Sequence, residues 1–483
     1  MSSRSLSTRH KQVPISRRSF LVRSGATAAL CALPGLTAQA ATESQSLRRF
    51  TLRPGKTDVQ LVPDDYPATP VWAYNQIVPG PEIRLTQGDR VRIAVENALN
   101  EPTTVHWHGL RVPHAMDGVP HLTQEPIDPD DQFVYEFDVP DAGTYWYHPH
   151  QRSFEQVGRG LYGPLIIEER EPITVDRDVT WVLDDWRLEN NALISDDFAN
   201  GHDMSHAGRI GNTVTLNGQI PNSFQVRQGE RIRLRLINAA NARIFALDFD
   251  DHQPWIVALD GQPVTPHEPI NNRVVLGPGM RADLVLDMSG DPASRFTITD
   301  SFYSGREYEL IDVVYRSESL RSKTLDSTIA LPRNTLPEPD LPNSIRHQIR
   351  FTGGMMGRMM MGDRSNMMRL MREGKMWFIN GVASSDYVMD PLVTLERDRS
   401  YLIEMINDTA WHHPIHLHGH SFRVISRNGQ PTLHQEWQDT VLMAPDETVE
   451  IALVADNPGD WMFHCHILEH QAAGMMGTIR VST

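Results

Sequence analysis

The amino-acid sequence predicts an all-β protein of three Greek-key β-sandwich domains in tandem, and three observations carry that expectation. The chain repeats itself: LTQGDRVRIAVENALN begins at Leu85, VRQGERIRLRLINAAN at Val226 and LERDRSYLIEMINDTA at Leu395. In each copy an asparagine (Asn97, Asn238 or Asn407) follows the first apolar residue by twelve positions. Within each copy apolar and charged residues alternate, the period of a strand buried on one face. Long helical patterns are scarce, and a repeat of roughly 140 to 170 residues suits sandwiches better than the short period of a solenoid. The 483 residues leave room for three such units at about 150 residues per domain.

In chain order, residues 1–40 read as an export signal. Arg4, Arg9, Lys11, Arg17, Arg18 and Arg23 occur there without an acid, the apolar run GATAALCALPGL follows, and AQA stands before Ala41. A basic head, a short apolar stretch and small residues at the cleavage point mark a signal peptide. SRRSFL, from Ser16 to Leu21, is similar to the twin-arginine signal, whose route carries folded proteins, rather than to a chance arginine pair before an ordinary secretory signal. No other run is long and apolar enough to span a bilayer, so no membrane anchor is expected. The first sandwich is placed at 41–172 and the second at 173–330. A proline-rich stretch, LPRNTLPEPDLP, lies in a linker at 331–346 that reads as extended chain. The third sandwich, at 347–483, includes a Met-rich segment at 355–376.

Loss of the six signal cations takes the formal charge from −16 to −22. Such a surface repels phosphate backbones, which argues against a nucleic-acid partner. Cysteine says more. Cys31 leaves with the signal, so the mature chain keeps a single thiol, Cys465, and forms no internal disulfide. A lone thiol in an oxidising compartment is open to oxidation unless something occupies it; the bland alternative is a buried, inert cysteine.

Histidine is the strongest signal. Random placement of 21 histidines gives about one His-x-His pair. This chain has His106/His108, His148/His150, His416/His418 and His464/His466, with His420 overlapping the third. HWHG at 106–109 parallels HLHG at 416–419, and GTYWYHPH at 143–150 parallels GDWMFHCH at 459–466, whereas the second unit has no such pair. On a strand, residues i and i+2 share a face, so each pair offers two imidazoles to one site. Scattered surface or core histidines would not fall at equivalent places in two related units. Eight imidazoles without a carboxylate form a shell for copper or zinc rather than calcium or magnesium. If the first and third units face each other, the eight nitrogens suffice for three metal ions.

HCHILEHQAAGMM, from His464 to Met476, adds a different donor set. His413, Cys465, His470 and Met475 supply two imidazoles, a thiolate and a thioether, the ligands of a blue-copper electron-transfer site. The first unit is an internal control: Thr103, Pro149, Phe154 and Leu161 stand at the corresponding places, so all four donors are missing while the histidine pairs remain. On a strand Cys465 points away from His464 and His466, leaving only a few covalent bonds between its sulfur and the two neighbouring imidazoles.

With HWHG, HPH, HPIHLHGH and HCHILEHQAAGM in place, the sequence closely resembles the three-domain multicopper oxidases, the laccases and bacterial periplasmic copper-tolerance oxidases, from about residue 45 to its end. The resemblance implies cupredoxin-like sandwiches, a monomer, and four copper ions. His413, Cys465, His470 and Met475 would hold type 1 copper, and His106 and His416 type 2 copper. His108, His148, His150, His418, His464 and His466 would hold the type 3 pair. It further implies four one-electron substrate oxidations coupled to reduction of O2 to water. Asp117, in the resembling stretch HWHGLRVPHAMDG, matches the family's acid near the cluster and is expected to relay protons; the alternative is a turn aspartate before Gly118. At Gln471 the chain departs from many bacterial relatives, which have a glutamate there.

The substrate is expected to be Cu(I), with phenols or aromatic amines as the alternative. Met355, Met356, Met359, Met360, Met361, Met367, Met368, Met371 and Met376 crowd one segment, and thioethers prefer Cu(I), although methionine runs also serve as adaptable packing or lids. Trp411 stands near the place where cuprous oxidases carry a methionine, with Asp408 close by. A cell-division scaffold of this fold would lack the histidines and cysteine, and a copper store would need no trinuclear arrangement.

Overall fold

In the computed structural model, which describes residues 47–355, 373–384 and 390–483, the repeated segments form strands Arg90–Glu96, Arg231–Asn238 and Ser400–Asn407. The recurring asparagine has the same task in each copy. Asn97 Nδ2 donates to the carbonyls of Glu101 and Ile127, Asn238 Nδ2 to those of Arg243 and Leu276, and Asn407 Nδ2 to those of Trp411 and Ala444, all within 2.7–2.9 Å. Each Oδ1 accepts from the residue two positions on: Leu99 N, Ala240 N and the Thr409 hydroxyl. All three side chains are buried. A fully satisfied buried amide thus ties the strand's end to two loops, and no apolar residue could replace those bonds.

The strand order repeats as well. Leu47–Leu52, Arg177–Trp186 and Ile345–Gly353 pair parallel with the three repeated strands. The last strands, Gly163–Glu168, Tyr308–Tyr315 and Met476–Val481, pair parallel with Ile83–Thr86, Ser223–Val226 and Val393–Leu395. The other ladders among the described residues are antiparallel. Parallel neighbours cannot be joined by a hairpin, so the chain crosses between two sheets in every unit. The result is the all-β, three-sandwich class expected. Separate apolar cores fill the units around Val91, Trp107 and Tyr135, around Leu234, Phe245 and Leu284, and around Ile403, Phe463 and Trp461.

Residues 316–340 form no strand or helix, and Asn334 pins this stretch by exchanging bonds with Ala142 (2.8 and 2.9 Å). The next long strand begins at Ile345, inside the span read as linker. Between the first two sandwiches lies a buried ionic lattice. Arg233 meets Glu169 (2.8 Å) and Asp283 (2.6 Å), while Arg235 meets Asp178 (2.7 Å) and the Thr144 hydroxyl (2.9 Å). Removing one member of such a network leaves a buried charge unpaired.

Asn238→Ala is expected to destabilise the protein by about 2–3 kcal/mol, because two carbonyls and one N–H lose their buried partner. Urea unfolding followed by tryptophan fluorescence checks this; an unchanged midpoint would deny the asparagine its role.

Candidate metal centre

The histidine pairs sit on facing strands. His106 lies opposite His148 where strands His106–His108 and Gly143–His148 run antiparallel, and His416 lies opposite His464 where His413–Leu417 meets Gly459–Cys465. The first and third sandwiches bring these faces together. The His106 ring stacks on His418 with centroids 3.9 Å apart, and His108 on His416 at 3.8 Å. None of the eight is more than 1 % exposed. Their donor atoms fall into overlapping threes within 4.8 Å: His108, His148 and His466; His106, His150 and His418; His416, His418 and His464.

Hydrogen bonds on the outer ring nitrogens decide what the inner ones can do. Nδ1 of His106 faces the Asp117 carbonyl (2.8 Å), Nδ1 of His148 the Pro149 carbonyl (3.1 Å), and Nδ1 of His416 the Asp439 carbonyl (2.9 Å). Nδ1 of His464 faces the Cys465 carbonyl (2.9 Å), and Nδ1 of His418 the Asp117 carboxylate (2.8 Å). All five partners are acceptors, so Nδ1 carries the proton and Nε2 keeps its lone pair. Nε2 of His106, His148 and His416 is buried without a hydrogen-bond partner, and Nε2 of His418 and His464 confront each other at 3.2 Å. Burial, and then repulsion among the rings, drives the pKa of His108, His148, His150, His418, His464 and His466 well below the usual imidazole value. Neutral rings with converging, unpaired lone pairs fit a borderline metal cation.

Two aspartates hold this arrangement from outside. Asp117 is fully buried beside both His106 and His418. It reaches them because the next residue is a glycine with φ +82°: a Cβ on Gly118 would fall 1.9 Å from the Val105 carbonyl oxygen. Asp439 is the matching group on the other side, 3.3 Å from His416 Nδ1 and 3.4 Å from His108 Nε2, with Thr440 Oγ1 3.0 and 3.2 Å from the same nitrogens. Burial alone would raise the Asp439 pKa; the Arg281 guanidinium, bidentate at 2.8 and 2.7 Å, holds it well below the carboxylate range. Asp260 accepts from the backbone N–H of Asp439 (3.2 Å), Thr440 (3.0 Å) and Arg281 (2.9 Å). Arg281 and Asp260 belong to the second sandwich, which has no histidine pair of its own. Its approach depends on Gly279 (φ +85°), where a Cβ would lie 2.8 Å from His466 ring carbons.

The second donor set forms a separate group. Cys465 Sγ lies 3.4 Å from His413 Nδ1 and 3.7 Å from His470 Nδ1, and those nitrogens are 3.1 Å apart. Backbone bonds from Cys465 N to the Met475 carbonyl (3.0 Å) and from Met475 N to the His470 carbonyl (2.9 Å) draw buried Met475 to the same place. His470 Nε2 donates to the His206 carbonyl (2.5 Å), so its lone pair is on Nδ1, facing the sulfur. Burial pushes the His470 pKa down to about 3 and raises the Cys465 thiol. In the first sandwich Thr103 takes the place of His413, but its partner is Gln156 (2.7 Å), not Phe154. Leu161 N bonds the Gln156 carbonyl as Met475 N bonds that of His470. The chain between His150 and Leu161 is longer than its counterpart, which displaced the alignment by two residues.

Several residues at the site had no motif to announce them: Asp260, Arg281, Asp439 and Thr440 at the histidines, and Thr409, Trp377 and His206 at the sulfur. Glu469, inside HCHILEHQAAGM, is fully buried: it accepts from Arg209 N (3.1 Å) and Asn241 Nδ2 (3.0 Å), and burial raises its pKa to about 7. Gln471 is buried in the helix Leu468–Ala472. Met356, Met359, Met360, Met361, Met367, Met368 and Met371 lie outside the described residues. Trp411 Nε1 bonds the Met355 carbonyl (2.8 Å), and Asp408 pairs with Arg350.

Comparison with known proteins agrees with this geometry. Three family models, each described as multicopper oxidase, match residues 56–172, 177–323 and 361–483. The chain is 30 % identical to multicopper oxidase MmcO of Mycobacterium tuberculosis, covering 95 % of each. It is 27 % identical to copper resistance protein A of Escherichia coli, over 90 % of this chain and 92 % of that protein. Its fold matches the crystal structure of a multicopper oxidase from Pseudomonas thermotolerans with a TM-score of 0.81 and 33 % identity, over 91 % of this chain and all of that one. The chain belongs to the multicopper oxidase family, copper-dependent oxidoreductases with O2 as acceptor.

Arg281→Met strands the buried Asp439 carboxylate and is expected to weaken metal binding at the histidine cluster by roughly 10- to 100-fold, while the Cys465 site keeps its metal. Copper per chain after dialysis, with the blue absorption as internal control, measures this. Undiminished retention would show that Arg281 does not support the cluster.

Proposed function

We propose that this chain is a cuprous oxidase of periplasmic copper tolerance, exported by the twin-arginine route. In this reading it holds four copper ions: one at His413, Cys465, His470 and Met475, one at His106 and His416, and a pair at His108, His148, His150, His418, His464 and His466. Bound copper supplies one-electron oxidation at the sulfur site and reduction of O2 to water at the histidine cluster. Cys465 serves as the connection, because alternation along its strand turns the sulfur to one site and the two neighbouring imidazoles to the other.

The observation that carries the cuprous reading is where the Met-rich segment is rooted. Met355 N donates to the Ser205 carbonyl (2.8 Å), one residue from His206, whose own carbonyl holds His470. At the other end, Met376 N donates to Ala473 O (2.9 Å) and Lys375 Nζ to Ala472 O (3.2 Å), at the end of the His470 helix. The two ends of the Met-rich segment, at Met355 and Met376, are therefore anchored beside the helix that carries His470, and thioethers select Cu(I). Similarity to a copper resistance protein supports the same reading. A cleft of about 500 Å³ lined by Ile210, Arg243, Tyr303, Arg306 and Tyr308 favours oxidation of phenols or aromatic amines as a second reading.

Asp117 acts as proton relay in this proposal. Its carboxylate is within hydrogen-bond reach of His418, and Gln471, an amide, cannot substitute as an acid. Asp117→Asn is expected to lower O2 uptake by roughly a hundredfold, while substrate still bleaches the blue copper band. Full turnover with normal copper content would remove Asp117 from the reaction. Replacing the seven methionines from 356 to 371 by leucine is expected to cut Cu(I)-driven O2 uptake at least tenfold and leave phenol oxidation unchanged. Cu(I) turnover unaffected by loss of the thioethers would sink the cuprous reading.

A further inference from the structure

We propose a further metal site, remote in sequence from the family motifs, at the seam between the second and third sandwiches: His267, His434 and Glu436 bind a borderline divalent cation, zinc or cupric. His267 ends strand Gln262–His267, and the other two precede strand Trp437–Gln438. The imidazole rings of His267 and His434 stack with centroids 3.9 Å apart, and His267 Nε2 lies 3.4 Å from Glu436 Oε1. The side chains of His267 and Glu436 are 13 % and 17 % exposed, while His434 lies on the surface.

The tautomer makes this contact informative. His267 Nδ1 is 2.8 Å from the Thr265 carbonyl, an acceptor, so that nitrogen bears the proton and Nε2 presents its lone pair to a carboxylate. A lone pair and a carboxylate oxygen at that distance are both donors to a cation. Two imidazoles and a carboxylate are a donor set for zinc or cupric ion, and a histidine fixed through its other nitrogen by a carbonyl is the usual form of a metal ligand. A cavity of about 80 Å³ is bordered by His434 and Glu436, with Arg333 and Arg423 also on its lining, and gives solvent access to those two ligands. Arg423, on the same rim, is paired with Glu338 and lies over the Trp437 ring, so its charge is compensated.

Position suggests what the ion does. Strand Gln262–His267 runs back to Asp260, and Glu436 leads on to Asp439 and Thr440, whose backbone N–H groups Asp260 accepts. An ion at the far end of these two segments clamps the sandwiches together along the strip that supports His416 and His108.

The test uses the copper-loaded enzyme, equilibrated with Zn²⁺ and then counted for metal. One zinc per chain beyond the resident copper is expected, with affinity at least tenfold lower in His267→Ala, His434→Ala and Glu436→Gln, and resident copper unchanged. Zinc should raise the thermal midpoint of wild type but not of these variants. Cu²⁺ in place of zinc should give a nitrogen-ligated resonance that the His267→Ala/His434→Ala double variant lacks. His434 is exposed, so its substitution tests the site even if His267→Ala fails to fold. No saturable zinc, or equal zinc in wild type and His434→Ala, overturns the proposal.

Discussion

Eight imidazoles must be kept in a closed space with ring nitrogens aimed at one another. Left to themselves, buried nitrogens that repel would turn outward or take up protons, because a polar group without a partner costs several kcal/mol in an apolar interior. The chain resists this at the outer nitrogens. Carbonyls of Asp117, Pro149, Asp439 and Cys465, with the Asp117 carboxylate, each claim an Nδ1 proton and so settle which nitrogen remains free. Much of the surrounding architecture can be understood as support for those acceptors. Gly118 lets Asp117 through, Arg281 keeps Asp439 ionised, and Asp260 holds the backbone of Asp439 and Thr440 in place.

That support explains why a unit without histidine pairs sits between two that have them. The second sandwich brings a guanidinium to the cluster and, through the His206 carbonyl, a hydrogen-bond acceptor to His470. It is joined to the first by the Arg233–Glu169–Asp283 lattice. Ion pairs of this kind add little net stability, yet they tolerate no loss of a member. Rigidity at the junction is therefore bound up with the geometry of both donor sets.

Much of this was legible in the sequence, and the limits are physical. Alternation and the recurring asparagines disclose three sandwiches, since a strand's period and a buried amide's needs are local properties. The histidine pairs and HCHILEHQ are dense, so their grouping is legible from spacing alone. What could not be inferred is contact between residues far apart in the chain. Arg281 opens the strand RADLVLD, which otherwise reads as ordinary core, and nothing in that stretch says that its guanidinium meets Asp439. The Thr103 partner was misplaced for a related reason: position counting assumes equal loop lengths, whereas Gln156 reaches Thr103 across a longer one.

The Thr103–Gln156 bond has an evolutionary side. It fills, with an ordinary hydroxyl–amide pair, the niche that its sister sandwich devotes to sulfur and imidazole, and it does so without disturbing the adjoining histidines. The two halves therefore differ at this niche in four positions drawn from separate elements, Thr103, Pro149, Gln156 and Leu161 against His413, Cys465, His470 and Met475, while both keep their histidine pairs. In the proposed reading, which half of the chain receives electrons is thus decided apart from the histidines that both halves contribute.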